Sequence, residues 1–253
     1  MNKSVLGKIF LRSFFIHTTL NFRRMQNLGF AMAIIPVIRE WNLTKKDAEG
    51  LLTRHLQMFN THPYFSAAVV GSVIHLEEEQ IKDKGANPSS DTVVVKQILA
   101  GPYAAIGDTF FWGALRPFAA IAACVLAYMG YVVAPLAFLL LYTPAHVWLR
   151  LKGFLEGYRR GKQGIEFIRI LNLPRTAVRI RWVSLIVLAS WAALLLNSKE
   201  PLSFINLSSL VMKLMAIATI LACIGLLQKR ISQFYILYGA ALFFLLISSL
   251  KEF

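Results

Sequence analysis

The feature that most constrains this chain is the run from Pro117 to Leu149, which contains no Asp, Glu, Lys or Arg. At about 1.5 Å of rise per residue, the run forms roughly 48 Å of helix, more than the ~30 Å hydrocarbon core of a bilayer requires. A helix satisfies its backbone hydrogen bonds internally, so it is the structure that such a run adopts in lipid. Gly130 and Pro135 divide the run, which predicts either one kinked, tilted span or a tight helical hairpin.

Three further apolar segments in the C-terminal half are predicted to cross the membrane. They are Trp182–Asn197, Leu207–Gln228 and Gln233–Leu250. Over the whole chain 57% of the residues are hydrophobic and the mean hydropathy is +0.56. These values are too apolar for an ordinary soluble domain. The sequence therefore predicts an all-α integral membrane protein with about four transmembrane helices.

The chain of 253 residues carries a net charge of +14, and the excess lies beside its most apolar segments. Residues 1–117 contain 13 basic and 9 acidic side chains, whereas residues 118–253 contain 14 and 4. Basic residues beside membrane spans mark the cytoplasmic side, whereas a nucleic-acid-binding protein carries them on a soluble face. We therefore expect contact with membrane lipid and no nucleic acid. Residues 150–181 are expected to form a basic cytoplasmic loop, with the N-terminus cytoplasmic and the C-terminus outside.

The N-terminal half, residues 1–117, has a different pattern. Residues 4–24 predict an amphipathic helix that lies on the membrane or against a partner, because cationic residues interrupt its apolar ones. Three apolar runs that follow are too short to span a bilayer and contain Gly or Pro, as re-entrant or broken helices do. They are Leu28–Ile38, Pro63–Leu76 and Ile98–Leu115. Interrupted apolar segments also mark the binding sites of transporters, so this half is expected to lie near a substrate.

Two polar stretches separate these runs. Thr44 is expected to cap a soluble helix from Lys45 to about Phe59, with Asp47 in its first turn. The stretch Lys82–Asp91 has the composition of a surface loop.

The motif with the most candidate functional side chains is GPYAAIGDTFFWGALRP at residues 101–117. The Gly101-Pro pair is expected to end one helix and Gly107 to permit a tight turn. Asp108 would then cap a short helix that stops at Pro117.

Asp108, Trp112 and Arg116 recur every four residues of this motif and share one broad helix face. A carboxylate, an indole and a guanidinium on one face can bind a sugar, by stacking on its apolar side and by hydrogen bonds to its hydroxyls. The alternative interpretation is an N-cap, an interfacial anchor and a snorkelling charge.

Two other motifs supply polar candidates. In NFRRMQNLGF, at residues 21–30, Asn21, Gln26 and Asn27 lie at the entry of an apolar run, and Gly29 permits close packing. A buried amide needs hydrogen bonds, which a bound polyol or a neighbouring helix can supply. In RHLQMFNTHP, at residues 54–63, Asn60 ends a helix ahead of Pro63.

The sequence contains no sign of an autonomous active site. Cys124 and Cys223 stand alone in apolar segments, and the histidines have no metal-ligand spacing. No nucleophile-elbow or nucleotide-binding motif is present. We therefore predict no catalytic residue, no metal and no cofactor.

Five segments together resemble the IID membrane component of mannose/fructose/sorbose-type bacterial sugar phosphotransferase systems. They are FLRS at 10–13, NFRRMQNLGF at 21–30, RHLQMFNTHP at 54–63, LEEE at 76–79 and GPYAAIGDTFFWGALRP at 101–117. The likeness covers residues 8–160, and beyond residue 180 only the hydrophobic pattern agrees.

This resemblance implies a transport subunit of the bacterial plasma membrane that pairs with a IIC subunit, in a trimer of IIC–IID pairs. Cytoplasmic IIA and IIB components would relay phosphate to the sugar through histidines on their own chains. The transported sugar stays open among mannose, fructose, sorbose and N-acetylgalactosamine. Two alternatives are a scaffold that supports a membrane partner without touching sugar, and a membrane enzyme that uses Asp108 with the acidic run Glu77–Glu79.

Overall fold

The computed structural model describes residues 1–82 and 90–197, together with a few scattered positions between 218 and 239. Within these residues the chain is helical and forms no named strand. The helices in chain order are α1 (Lys3–Ser13), a 3₁₀ turn (Ile16–Thr19), α2 (Asn27–Ile34), α3 (Pro36–Glu40), α4 (Lys45–His55), α5 (Ser66–Lys82), α6 (Ser90–Gly107), a π-helix (Asp108–Leu115), α7 (Arg116–Tyr128), α8 (Ala134–Arg160), a second 3₁₀ turn (Gly161–Gly164), α9 (Ile165–Ile170) and α10 (Leu173–Asn197).

The centre of the fold is the crossing of α5 and α8. Both helices present glycine at the contact: a Cβ on Gly71 would collide with the carbonyl of Phe154, and a Cβ on Gly157 with the carbonyl of Ala68. Gly153, one turn before Gly157, faces the methyl group of Ala68. Small residues spaced four apart let two backbones approach closely, as in packed membrane helices. The crossing therefore depends on the missing side chains, and α5 is buried along its first three turns.

Two helical stretches, Thr92–Tyr128 and Ala134–Leu194, contain segments long and apolar enough to cross a membrane. The turn between them resolves the two alternatives for the uncharged run, because α7 ends at Tyr128 and α8 begins at Ala134. Gly130 adopts φ +83° in this turn, a conformation that residues with a side chain rarely adopt. Since α7 and α8 pack against each other, the run is a helical hairpin.

The GPYAAIGDTFFWGALRP segment does not contain the predicted break. Helix α6 continues through Pro102, and Gly107 has ordinary right-handed helical angles, φ −64° and ψ −47°. Asp108 makes no side-chain cap, and Pro117 lies at the start of α7 instead of ending a helix. The expected helix stop at Gly101, the turn at Gly107 and the cap at Asp108 are therefore wrong. Packing of buried residues on both sides of Pro102 outweighs its single lost hydrogen bond.

The N-terminal amphipathic helix is shorter than predicted, since α1 ends at Ser13 instead of continuing to residue 24. Beyond it the hydroxyls of Thr18 and Thr19 bond to backbone carbonyls three residues earlier, which competes with helical pairing. The side chain of Asn21 then bonds to the carbonyl of Met25 and closes a tight turn. Contact of this segment with lipid or a partner stays a prediction.

Thr44 caps α4 as expected, because its hydroxyl accepts a hydrogen bond from the N–H of Asp47. Helix α4 ends at His55, four residues before the predicted end.

The basic stretch 150–181 is helical and not a loop: it comprises the end of α8, the second 3₁₀ turn, α9 and the start of α10. Helix α8 continues past Arg150 because its residues there are buried against α5.

Apart from the scattered positions between 218 and 239, the predicted spans Leu207–Gln228 and Gln233–Leu250 lie outside the described residues, as does most of the predicted loop Lys82–Asp91. Contacts group Met1–Ala189 into one compact unit and Ser190–Phe253 into another. The functional division between 1–117 and 118–253 stays a prediction.

We expect Gly157→Ala to destabilise the protein by about 1–3 kcal/mol, because the added methyl group forces α5 and α8 apart. Thermal unfolding of the purified protein in detergent measures this effect. Gly50→Ala is the matched control, since Gly50 lies in α4 and only the end of the Arg54 side chain comes within 4 Å of an added Cβ. It is expected to be neutral or to stabilise α4 by up to ~1 kcal/mol. Equal melting temperatures for the two variants would contradict the glycine-dependent crossing.

Candidate functional site

The segment Asn60–Pro63, called here the NTHP loop, is held by hydrogen bonds to Gln26, to α6 and to α8. Gln26 clamps its second residue: the Gln26 amide nitrogen donates to the carbonyl of Thr61 at 2.7 Å, and the Thr61 N–H donates to the Gln26 amide oxygen at 3.2 Å. The hydroxyl of Thr61 donates to the carbonyl of Ala100 in α6 at 2.9 Å. Every polar group of Thr61 is therefore bonded, and the backbone of the loop has one defined conformation.

Arg150 of α8 holds the other end of the NTHP loop. Its Nη2 donates to the carbonyl of Pro63 at 2.7 Å, and its guanidinium carbon lies 4.2 Å from the centre of the Phe14 ring. Arg150 is only 4% exposed, so backbone oxygens and aromatic faces replace the water that a guanidinium normally binds. The sequence places Arg150 in a basic cytoplasmic loop, but the residue is buried and connects α8 to the NTHP loop.

His62 connects the NTHP loop to the π-helix. Its ring stacks on Phe111 with 5.2 Å between centroids and 15° between planes, and it contacts Trp112 at 4.8 Å. A Cβ on Gly107 would collide with the His62 side chain. Gly107 is therefore the residue that lets His62 approach the helix, and it does not serve a turn.

The protonation of His62 follows from these contacts. Burial, together with the nearby charges of Arg150 and His17, lowers the pKa of His62 to about 4. The N–H of Tyr64 donates to Nδ1 at 3.3 Å, so the neutral ring carries its proton on Nε2. That Nε2 has no hydrogen-bond partner among the residues that the structure describes.

An exposed face of the π-helix and of the start of α7 carries the three residues that recur every four positions in the sequence. Asp108, Trp112 and Arg116 are all exposed, and 46% of Trp112 is accessible. The indole of Trp112 contacts the buried ring of His62, which fixes its orientation, while its other surface is accessible. Asn60 is exposed on the loop that carries His62. The ring of His62, which contacts both Phe111 and Trp112, thus joins the NTHP loop to the π-helix.

The amides of the NFRRMQNLGF motif have a different environment. Gln26 is 1% exposed, and its amide nitrogen also lies 3.2 Å from Nδ1 of His17. Asn27 donates to the carbonyl of Leu56 at 2.7 Å and accepts from Asn21 at 2.9 Å. These groups already bond within the chain. Gly29 packs directly on the backbone of Ile16, the close approach expected of it.

The carboxylates of the acidic run Glu77–Glu79 differ in burial: Glu77 is buried and Glu79 is exposed. Glu77 is 2% exposed and accepts hydrogen bonds from Arg54 at Nε (2.9 Å) and Nη2, from His55 (2.8 Å) and from Thr92 (2.9 Å). Burial raises the pKa of Glu77, but the hydrogen bonds and charges of its partners outweigh burial and hold the pKa at about 2. Burial lowers the pKa of His55. Glu77 is therefore an ionised structural anchor between α4, α5 and α6.

Sequence reasoning missed three residues of this region: His62, Arg150, and Arg181 of α10, which donates hydrogen bonds to the carbonyls of Gly113 and Thr109 in the π-helix. His62 looked like one of several scattered histidines, and the arginines looked like charges of a loop. For His62 the sequence contained one signal, Gly107, because a glycine inside a helical segment can mark the close approach of another side chain. No group of three potential metal ligands occurs within residues 1–82 and 90–197.

Comparison with known proteins identifies the relatives of the chain. All of it, residues 1–253, matches the family described as PTS system mannose/fructose/sorbose family IID component. It is 29% identical to the PTS system mannose-specific EIID component of Escherichia coli (strain K12), over 94% of this chain and 90% of that protein.

Two solved structures have a similar fold. One, described as the structure of a membrane protein, superimposes with a TM-score of 0.77 at 26% identity, over 98% of this chain and 97% of that one. A chain in the complex of the mannose transporter ManYZ with microcin E492 superimposes with a TM-score of 0.59 at 25% identity, over the same shares of the two chains.

We expect Gln26→Ala to lower the stability of the protein by about 1–3 kcal/mol, because it leaves the buried N–H and C=O of Thr61 unpaired. Thermal unfolding measures the loss, and faster amide exchange at residues 59–63 locates it. Asn60→Ala, a change at an exposed position of the same loop, is expected to leave stability unchanged. A Gln26→Ala variant with full stability would rule out the clamp.

We expect Glu77→Gln to cost about 3–5 kcal/mol, because it leaves Arg54 without its buried counter-charge. The folded pKa of Glu77 lies below its ordinary value of 4.5. Its contribution to stability is therefore complete above that value and is lost as the pH falls towards about 2. Melting temperature against pH, with Glu79→Gln as the control at a 61% exposed carboxylate, tests this; parallel curves for Glu77→Gln and the unmodified protein would refute it.

Proposed function

Because the chain belongs to the mannose/fructose/sorbose family of phosphotransferase-system IID components, which are membrane subunits of sugar transporters, we propose how it acts within one. It pairs with a IIC subunit, and the two bind a hexose or related sugar and move it across the bacterial plasma membrane. The observation that carries this proposal is the exposed face of Asp108, Trp112 and Arg116, backed by the NTHP loop.

The chemistry of this face suits a sugar. The apolar C–H surface of a pyranose stacks on an indole, and Trp112 offers an accessible ring whose orientation His62 fixes. Asp108 accepts hydrogen bonds from hydroxyl groups, and Arg116 donates them. Asn60 supplies an amide that does both. An orienting aromatic with a few polar groups around it is the usual composition of a small-molecule site.

Gln26 and Asn27 enter the proposal as the support of this face. Their amides bond to Thr61, Leu56 and Asn21, so direct contact with the sugar would require them to give up bonds within the chain. Their role is to hold the NTHP loop, and through it His62, against the π-helix.

The phosphoryl group comes from other subunits in this proposal. IIB phosphorylates the sugar on the cytoplasmic side after receiving the phosphate from IIA, and this chain carries no phosphorylated residue. This part of the proposal rests on the family resemblance. The structure adds only that His55 and His62 are buried, at 0% and 1% exposure, and that the carboxylate of Glu77 is bonded by Arg54, His55 and Thr92, so these three groups are not open to a phosphoryl donor.

Assembly with a partner is supported by apolar side chains that the described residues leave uncovered. Phe22 is fully accessible and Met58 is 58% exposed, and both lie outside the two stretches that are apolar enough to cross a membrane. We propose that the chain assembles as a trimer of IIC–IID pairs, with its N-terminus in the cytoplasm and its C-terminus outside.

The two alternatives fare differently. A membrane enzyme that uses Asp108 with Glu77–Glu79 would need a carboxylate free to transfer protons, and the buried member of that run is locked as an anion by Arg54. A scaffold that supports a partner without touching sugar remains the competing hypothesis, and uptake kinetics separate it from the proposal.

Asp108→Asn and Trp112→Ala are expected to raise the KM for sugar uptake roughly 10–100-fold. A lost hydrogen bond to a charged group costs about 1.5–3 kcal/mol, and each ~1.4 kcal/mol is a factor of ten. Cells that express all components of the system report uptake, and co-purification with IIC reports assembly. Gln97→Ala, a change at an exposed position of α6, is the control. Normal assembly with unchanged KM in both variants would favour the scaffold hypothesis.

A further inference from the structure

The π-helix has a contact that neither the sugar-facing side chains nor the NTHP loop explains. Arg181 of α10 donates from Nε to the carbonyl of Gly113 at 2.9 Å and from Nη2 to the carbonyl of Thr109 at 3.3 Å. The two carbonyls belong to successive turns. One guanidinium therefore bridges two turns of the segment that carries Asp108 and Trp112.

The carbonyl of Gly113, which accepts from Nε, lies near the end of the π-helix, where helical pairing changes. In a π-helix a carbonyl pairs with the N–H five positions later, and in the α-helix that follows it pairs with the N–H four positions later. Pro117 lies at this change and has no N–H to offer in either register. Nε of Arg181 therefore supplies a side-chain donor where the regular backbone pairing is interrupted.

Gly113 also makes the approach possible. A Cβ at this position would lie 2.9 Å from Nη2 of Arg181, closer than real Cβ contacts allow. Gly113 and Arg181 therefore act together: the glycine leaves room beside its own carbonyl, and the arginine binds that carbonyl. A guanidinium at the start of an apolar helix gains acceptors in return, which lowers the cost of placing its charge there.

We propose that Arg181 is a positioning residue for the sugar site. It acts through the π-helix, which it connects to α10, and so it keeps Trp112 in contact with His62 and Asp108 on the exposed face. This inference rests on the proposed function for the assignment of Asp108 and Trp112 to the sugar. The coupling of Arg181 to the π-helix rests on the hydrogen bonds alone. π-Helical segments often occur at functional sites, in keeping with a segment held under constraint.

The test uses the complete IIC–IID complex with Arg181→Ala, Arg181→Lys and Gly113→Ala. Arg181→Ala and Gly113→Ala are expected to raise the KM for sugar at least several-fold, with co-purification with IIC unchanged. Hydrogen exchange of the amides of residues 108–118 should become faster in both. Arg181→Lys keeps a donor but loses the fork that spans two carbonyls, so we expect it to restore the KM only in part. Arg179→Ala, an exposed arginine two positions earlier on α10, is the matched control and should change neither measurement.

The outcomes separate this inference from the function it builds on. Unchanged exchange in Arg181→Ala overturns the coupling. Faster exchange with an unchanged KM overturns the positioning role, provided that Asp108→Asn raises the KM in the same assay. If Asp108→Asn and Trp112→Ala leave the KM unchanged, the proposed sugar site itself fails and the positioning role fails with it. Loss of co-purification in Arg181→Ala would show a role in assembly and would also overturn the inference.

Discussion

The close crossing of α5 and α8 is the contact on which the rest of the structure depends. Glycines at 71, 153 and 157 bring the two backbones together, and this distance decides what the neighbouring side chains can reach. Arg150 lies one turn before Gly153 on α8, and the crossing brings its guanidinium to the carbonyl of Pro63 just ahead of α5. The NTHP loop is thereby fixed at one end by the helix crossing and at the other by Gln26 and Ala100. His62, held between these points, becomes the rigid backing of the π-helix face.

A common solution recurs for cations in the apolar part of this protein. Arg150, Arg181 and Lys96 each bond to backbone carbonyls: Arg150 to Pro63, Arg181 to Gly113 and Thr109, and Lys96 to His55 at 2.8 Å. Carbonyls become available where the backbone leaves regular helical pairing, at loops, at helix ends and upstream of prolines. The irregular backbone and these cations therefore satisfy each other's hydrogen-bonding groups. Glu77 is the contrasting case, since it uses its carboxylate to join three helices.

Much of the architecture could be predicted from local patterns. The uncharged run predicts membrane helices because hydrocarbon excludes charge, Thr44 predicts its own N-cap, and Gly130 marks the hairpin turn. The four-residue spacing of Asp108, Trp112 and Arg116, which places them on one helix face, is also evident in the sequence. The wrong predictions for the 101–117 motif share one cause. Local propensity predicts that Gly101, Gly107 and Pro117 break helices, whereas the helical stretch is continuous and Gly107 instead leaves room for His62.

The sequence by itself determined the class of the protein and its family, because these depend on composition, periodicity and motif order. Only the tertiary structure decided which polar residues point outwards and which support the fold. Gln26 and Asn27 resembled Asn60 and Asp108 as candidates, yet the first two are buried and bonded within the chain while the other two are exposed. Arg181 and Gly113 are 68 residues apart in sequence. Their contact exists because packing brings α10 beside the π-helix, and no local pattern encodes that proximity.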